Sequence, residues 1–110
     1  MRIVYNRRFP FGHFWAINIF GVVFARIDYG MLGAVERNHE HIHTLQQREL
    51  LFLGFYLLYV SEWLLKLAYY RNFFKAYRNI SFEREAYDNQ NRLDYSSTRC
   101  HYAWLKHIKN

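Results

Sequence analysis

The spacing of hydrophobic positions changes along this chain and predicts strands first and helices afterwards. Aromatic and β-branched residues dominate 14–20 and 22–27, on either side of Gly21. Such runs are typical of a strand, or of two strands hinged at the glycine. Residues 35–48 have polar and apolar positions at helical spacing. The pattern therefore predicts a mainly helical α+β fold, with a short N-terminal strand or hairpin packed over the helix that follows.

Residues 50–70 are much more apolar than the helix before them, and three interpretations of this stretch stay open. Residues 50–60 carry no charged side chain. Glu62 and Lys66 interrupt the run before it reaches the roughly 20 apolar residues that a membrane-spanning helix needs. They stand four apart in the order that favours an ion pair on one helix face. The stretch is a buried core helix, a helix at a membrane interface, or a span.

Beyond the apolar stretch, the pattern predicts a connector and two shorter helices. Ser81 can cap a helix whose first turn holds Glu83 and Glu85, where negative charge favours the helix dipole. At 110 residues the chain forms one domain. Its expected parts are a basic, irregular N-terminal segment (1–12), a strand region (14–27), two helices (34–70), a basic aromatic connector (71–80), a further helix (81–95) and a C-terminal helix (99–108).

Composition narrows the class of protein and its partners. Aromatic residues make up 21% of the chain, apolar residues 52%, and the formal net charge is +6. Disordered chains lack aromatic residues, so a folded domain is expected. A mixture of basic and aromatic residues is typical of protein at a membrane surface, and it also serves single-stranded nucleic acid. The apolar stretch favours the membrane surface, so nucleic acid is the less expected partner. The oligomeric state stays open.

The single cysteine and the N-terminal residues bear on the compartment. Cys100 has no partner for an internal disulfide and no companions for a cysteine-based zinc site, so we interpret it as an ordinary reduced thiol. The segment from Met1 to Pro10 is polar and basic and lacks the apolar core of a signal peptide. The expected location is the cytoplasm or the cytoplasmic face of a membrane.

Residues 39–43 form the motif H-E-x-x-H, which on a helix indicates a zinc site with its own base. Positions four apart lie about 40° apart around a helix, so His39 and His43 share one face and can bind one Zn²⁺. Glu40 follows the first ligand and can lean over the metal, where a water would sit. His41 points about 200° away from His39, so we interpret it as a surface or packing residue.

A catalytic zinc site needs three protein ligands and an open position for water, so a third ligand is required. A glutamate of the segment 82–87, on a second helix, can complete a His₂Glu set. Glu83 and Glu85 lie roughly 200° apart around that helix, so only one of them can face the metal. The alternative is that these carboxylates only favour the helix dipole. Other candidates have no supporting position or are interpreted as solvated: His13, His101, His107, Glu36 and Glu49.

The two motifs together resemble a known family. H-E-H-I-H-T-L-Q-Q at 39–47 and E-R-E-A-Y at 83–87 are similar to the zincin metallopeptidases of the Glu-ligand class, the gluzincins. Several groups of that class take the third ligand from E-x-x-A-D, which implies Glu83 here and leaves Glu85 as the fallback. Tyr87 stands where many members have an aspartate that orients a zinc-bound histidine. Residues 14–90 also resemble a group of very small bacterial zincin-like proteins.

The resemblance implies a zinc-dependent peptidase that acts on a peptide or protein substrate. Zn²⁺ would be bound by His39, His43 and Glu83, and Glu40 would be the catalytic base. In zincins the substrate lies along an edge strand above the active-site helix, and 14–27 is the strand candidate here, unless it is merely core sheet or contacts a membrane.

Three further assignments stay open. Tyr87 and the unplaced histidines and tyrosines are candidates to stabilise an oxyanion. Gln46 and Gln47, about one turn after His43, either orient the ligands or are plain polar residues. Two other functions also remain: a zinc-binding structural or regulatory protein that cleaves nothing, and a basic membrane- or nucleic-acid-binding protein with incidental histidines.

Overall fold

Three strands and five α-helices follow one another in the part of the chain that the computed structural model describes, residues 2–9 and 15–108. This confirms the mainly helical α+β fold. The strands are β1 (Arg2–Asn6), β2 (Ala16–Ile19) and β3 (Val22–Arg26). The helices are α1 (Ala34–Glu49), α2 (Leu53–Tyr70), α3 (Phe73–Arg78), α4 (Ser81–Asn89) and α5 (Tyr95–Thr98), with 3-10 turns at Ile27–Tyr29 and Ala103–His107.

The sheet has the strand order β1-β3-β2, so among the described residues β2 is an edge strand. β2 and β3 form an antiparallel hairpin that turns at Phe20 and Gly21, which both have positive φ. This confirms the hairpin hinged at Gly21. The interpretation of residues 1–12 as irregular is wrong for Arg2–Asn6, because that segment pairs in parallel with β3. Such pairing depends on a distant partner, which local sequence does not reveal.

The break between α1 and α2 falls at residues 50–52, ahead of Gly54, and the two helices are bent by 111°. Leu51 takes a left-handed φ of 54°. The Phe52 N–H donates to the Gln47 carbonyl and the Leu51 N–H to the Arg48 carbonyl, a Schellman closure with leucine at the usual glycine position. Within the described ranges no single helix is long and apolar enough to cross a membrane, although the bent pair passes on length and composition.

The helices after α2 are shorter than predicted, and distant hydrogen bonds explain why. The connector 71–80 contains α3, and α4 ends at Asn89 where a helix to 95 was expected. Asn38 of α1 donates to the carbonyls of Asn89, Gln90 and Arg92, which keeps those groups out of a continuing helix.

The expected C-terminal helix over 99–108 is also wrong in its extent. Only Ala103–His107 is wound, as a 3-10 turn. Tyr102 has a φ of 58°, and its N–H donates to the Glu49 carboxylate at 2.6 Å. A residue with left-handed backbone interrupts a right-handed helix at that point.

Glu62 joins α2 to the start of α4. Its pairing with Lys66 is confirmed, with 3.3 Å between Lys66 Nζ and Glu62 Oε2. Ser81 is not a capping residue as expected but the first residue of α4. Its N–H and hydroxyl both donate to the Glu62 carboxylate, each at 2.6 Å. A side chain from another helix therefore binds an N-terminal amide of α4.

The inner side of α2 closes the main apolar core. Phe55 packs there with Ile80, Phe82 and Trp104. Phe55 is the one buried residue of α2, so residues 50–70 contribute one side to the core and do not form a fully buried helix. α1 lies centrally and contacts β2, α2 and α4. This arrangement brings the buried faces of α1 and α4 together.

Candidate metal centre

The buried face of α1 presents the H-E-x-x-H side chains to α4. His39, Glu40 and His43 are all buried, and Glu83 is buried on the facing side of α4. A candidate ligand atom from each of His39, His43 and Glu83 lies within 4.8 Å of the others. Helical spacing placed the histidines together, and packing of α4 on α1 brings Glu83 to them.

The three ligand atoms form a small, nearly regular triangle. His43 Nε2 is 3.1 Å from His39 Nε2 and 3.1 Å from Glu83 Oε1. His39 Nε2 is 3.3 Å from the same carboxylate oxygen. Ligands at about 2.0–2.1 Å from a tetrahedral Zn²⁺ are separated by roughly 3.3–3.4 Å. The triangle therefore has close to the size of one face of a zinc tetrahedron.

Gln46 sets the orientation and the tautomer of His43. The Gln46 amide nitrogen donates to the Phe82 carbonyl and to Glu85 Oε1, both at 3.0 Å. Its oxygen therefore faces His43 Nδ1, at 2.8 Å, and accepts a hydrogen bond from it. Since Nδ1 carries a hydrogen, the neutral form of the ring has its lone pair on Nε2, which faces the ligand triangle.

Gln90 stands in the same relation to His39, although it was not among the residues predicted from the sequence. Gln90 Oε1 is 2.9 Å from His39 Nδ1. Tyr87, at the position where the gluzincins often have an orienting aspartate, instead packs its ring on His39 with centroids 4.5 Å apart. Gln90 lies seven residues after Glu83, a spacing that returns to the same helix face. That spacing is the feature of the sequence that could have identified Gln90.

Charge at the triangle favours a bound cation. Burial would lower the pKa of His43, but the Glu83 carboxylate outweighs it and raises that pKa to about 9. Burial would likewise raise the pKa of Glu83, but the two histidines hold it well below its usual range. Two imidazole lone pairs and a carboxylate converge, so a proton or a metal ion is required between them.

Tyr59 holds the other oxygen of Glu83. Its hydroxyl donates to Glu83 Oε2 at 2.7 Å, which leaves Oε1 for the triangle. Burial and the Glu83 charge raise the pKa of Tyr59 well above the ordinary value, so it remains a donor. No spacing in the sequence links this α2 residue to α4, so its role was not predictable.

Glu40 stands beside the triangle without joining it. Its carboxylate makes no hydrogen bond to any described residue and lines two neighbouring cavities. Burial raises the pKa of Glu40, and the nearby His43 and His39 only partly offset this. A carboxylate with a raised pKa that faces open space is suited to accept a proton from water.

A cleft passes the ligand triangle on both sides of Glu40. One cavity, of about 310 Å³, has mostly apolar walls, and the other measures about 410 Å³. Tyr77 lines both cavities. The walls of the first cavity come from β2 (Ala16, Ile17, Asn18, Ile19), α1 (Glu40, His43, Gln47), α2 (Phe55, Tyr56, Tyr59, Trp63), α3 (Phe73, Tyr77) and α4 (Glu83). We call the two cavities together the cleft.

β2 is hydrogen-bonded to α1 along one side of the cleft. Asn18 donates to the Glu40 carbonyl at 2.9 Å and to the Thr44 hydroxyl at 2.8 Å. Gln47 accepts from the Gly21 N–H at 2.9 Å and donates to the Asn18 carbonyl. Gln47 therefore positions the hairpin, whereas Gln46 orients His43.

Glu85 belongs to a separate ionic cluster. Arg99 pairs with both Glu85 and Glu49, and Tyr95 donates to Glu85 at 2.7 Å. The interpretation of Glu49 as solvated is wrong, because only 8% of its side chain is exposed. These partners turn Glu85 away from the ligand triangle.

The remaining candidates lie elsewhere. Glu36 accepts a hydrogen bond from the Gly33 N–H at the start of α1. His41 is partly exposed, and burial lowers its pKa. His101 lies beside Glu49, and His107 beside Asp88. His13 falls outside the described residues, and Cys100 is exposed.

Comparisons of the chain with protein-family models, curated proteins and solved structures gave no match.

Proposed function

We propose that this protein is a zinc-dependent metallopeptidase. The observation that carries the proposal is the convergence of His39 Nε2, His43 Nε2 and Glu83 Oε1 within 3.1–3.3 Å, with the Glu40 carboxylate beside them in the cleft. Two imidazoles and one carboxylate are the ligand set of a catalytic His₂Glu zinc site. Two glutamines that accept from the outer ring nitrogens support the same reading.

The residues divide the chemistry between them. Zn²⁺, when bound, supplies a Lewis acid that activates water and polarises a carbonyl. Glu40 accepts a proton from the attacking water and passes it to the leaving amine. Burial and the charge of Glu83 raise the pKa of Tyr77 above its ordinary value, so its phenol stays protonated. We assign Tyr77, which lines both cavities, as a donor to the developing oxyanion.

The edge strand and the cavity suit an extended peptide. A substrate backbone can add to β2 as a further strand at the edge that does not pair with β3, where Gln47 and Tyr56 now donate to the Asn18 carbonyl. The apolar cavity beside it, walled by Phe55, Trp63 and Phe73, can then accept one bulky apolar side chain. We therefore expect a peptide substrate with such a residue next to the cleaved bond.

Metal content and cleavage test two steps separately. Purified protein should contain about one Zn²⁺ per chain, and His39→Ala, His43→Ala and Glu83→Gln should lose it. His41→Ala, on the same helix but directed away from the triangle, is the matched control and should keep it. Equal zinc content in all four variants would contradict the ligand assignment.

Glu40→Gln tests the reaction itself. It should retain zinc and lose cleavage of a fluorogenic peptide library by at least about a hundredfold, because no carboxylate accepts the proton. Zinc binding without chelator-sensitive cleavage in the parent would instead favour the structural or regulatory zinc protein. Undiminished cleavage in Glu40→Gln would refute its role as the base.

A further inference from the structure

The outer side of α2 is a long apolar surface that no other part of the described chain covers. Leu57 and Leu64, for example, are 63% and 53% exposed. We call the following residues the outer face of α2: Leu53, Leu57, Leu58, Val60, Leu64, Leu65 and Tyr69, all exposed. Soluble monomers rarely leave so many large apolar side chains together in water, and such a surface marks an interaction site.

The charges of α2 are turned away from this face. Glu62 binds Ser81 and Lys66, and Lys66 also donates to the Asn79 carbonyl at 2.7 Å. Their side chains are only 17% and 14% exposed. The outer face therefore offers no charged group to a partner, and its contact has to be apolar.

Exposed cations stand near both ends of α2. Arg48 precedes it in the chain, and Arg71 ends α2. Lys75 follows, with its Nζ 5.2 Å from the centre of the Tyr70 ring. Exposed Phe73 and Phe74 lie beside them in sequence. Cations and aromatic rings around an apolar helix face are the pattern of a helix in the headgroup region of an anionic bilayer.

Charge also argues against a second copy of the chain on this face. A parallel pairing of two outer faces would bring Arg71 towards Arg71, and an antiparallel pairing would bring Arg48 towards Arg71. The nearby acidic groups, Glu49 and Glu62, are already engaged by Arg99 and by Ser81 with Lys66. Like charges would meet without neutralisation in either case, whereas anionic lipid neutralises them.

We propose that the outer face of α2 binds the surface of an anionic lipid bilayer. The helix would lie in the interface along its length of about 27 Å. Its opposite side, through Phe55, Tyr59 and Trp63, lines the cleft. One helix thus joins the bilayer contact to the candidate site, and the contact does not depend on the proposed peptidase activity.

Vesicle flotation tests the contact directly. Full-length protein should float with vesicles of phosphatidylcholine and phosphatidylglycerol, and less well with phosphatidylcholine alone or at high salt. Leu57→Glu with Leu64→Glu should reduce binding to the anionic vesicles by at least about tenfold. Leu93→Glu with Leu105→Glu is the matched control, because those leucines are 58% and 53% exposed elsewhere. The control should bind like the parent.

Three outcomes for the parent protein and the leucine double variants would overturn the proposal. In the first, the parent protein does not float with anionic vesicles. In the second, both double variants lose binding equally. In the third, the parent is a dimer in solution and the Leu57→Glu, Leu64→Glu double variant is a monomer. Circular dichroism checks that the variants fold, and Leu65→Glu replaces the double variant if it does not. Arg71→Glu with Lys75→Glu should weaken binding to anionic vesicles alone, and unchanged binding would also contradict the proposal.

Discussion

Replacing Gln46 with methionine should weaken zinc binding as well as destabilise the fold. Gln46 is 0% exposed, and its oxygen accepts from His43 Nδ1 at 2.8 Å. Methionine fills a similar volume without accepting that hydrogen bond, so His43 loses its fixed tautomer and ring orientation. Loss of a residue that orients a ligand typically costs about 10–100-fold in metal affinity, or roughly 1.4–2.7 kcal/mol.

Gln47→Met provides a matched control. Gln47 is adjacent, is 1% exposed, and bonds to Gly21 and Asn18 instead of a ligand. Both substitutions leave buried polar groups without a partner, so both should lower the free energy of unfolding by about 1–3 kcal/mol. Only Gln46→Met should lower the affinity for zinc at equal folded concentration.

Competitive titration with a chromophoric chelator measures the zinc affinity, and urea unfolding of the metal-free protein measures stability. A Gln46→Met protein that binds zinc as tightly as the parent would refute the orienting role. Equal losses of zinc affinity in the two variants would refute it as well, since the effect would then follow from general destabilisation.

Three further predictions concern pH, the third ligand and the substrate. The pKa of His43 is raised to about 9, so below that pH its proton has to leave before zinc binds. Zinc affinity should therefore rise with pH and level off above about 9. A flat profile of zinc affinity in calorimetric titrations from about pH 6 to 9 would contradict this. Tyr59→Phe removes the donor to Glu83 Oε2 and should weaken zinc binding by about tenfold, measured by chelator competition against Tyr56→Phe as control. If the protein cleaves peptides, those that place leucine or phenylalanine in the apolar cavity should be cleaved at least about tenfold faster than those that place aspartate there. Trp63→Lys should reduce that ratio. Equal kcat/KM values for the two kinds of peptide would contradict the assignment of the cavity.

Features that depend on neighbours in the chain were predictable. The shared face of His39 and His43 follows from helical spacing, and so does the Glu62–Lys66 pair, which is confirmed. The hairpin at Gly21 followed from two β-branched runs on either side of a residue that tolerates positive φ. In each case the interaction that determines the feature joins residues only a few positions apart in the chain.

Features that depend on distant partners were not predictable. The carbonyls of Asn89, Gln90 and Arg92 bind Asn38, so α4 ends early despite a sequence that favours a longer helix. Arg2–Asn6 is a strand because β3 lies beside it. Tyr59 has no recognisable spacing to the site, and its role follows from its contact to Glu83 of another helix.

The sequence by itself therefore determined that His39 and His43 share one helix face and that Glu40 lies next to them. It also determined that Glu83 and Glu85 cannot both face one point. Tertiary structure determined which of those two glutamates faces the histidines. Arg99 and Tyr95 engage Glu85, while the packing of α4 on α1 directs Glu83 to the histidines. The physical reason is that spacing around a helix defines its faces, but only packing determines what each face meets.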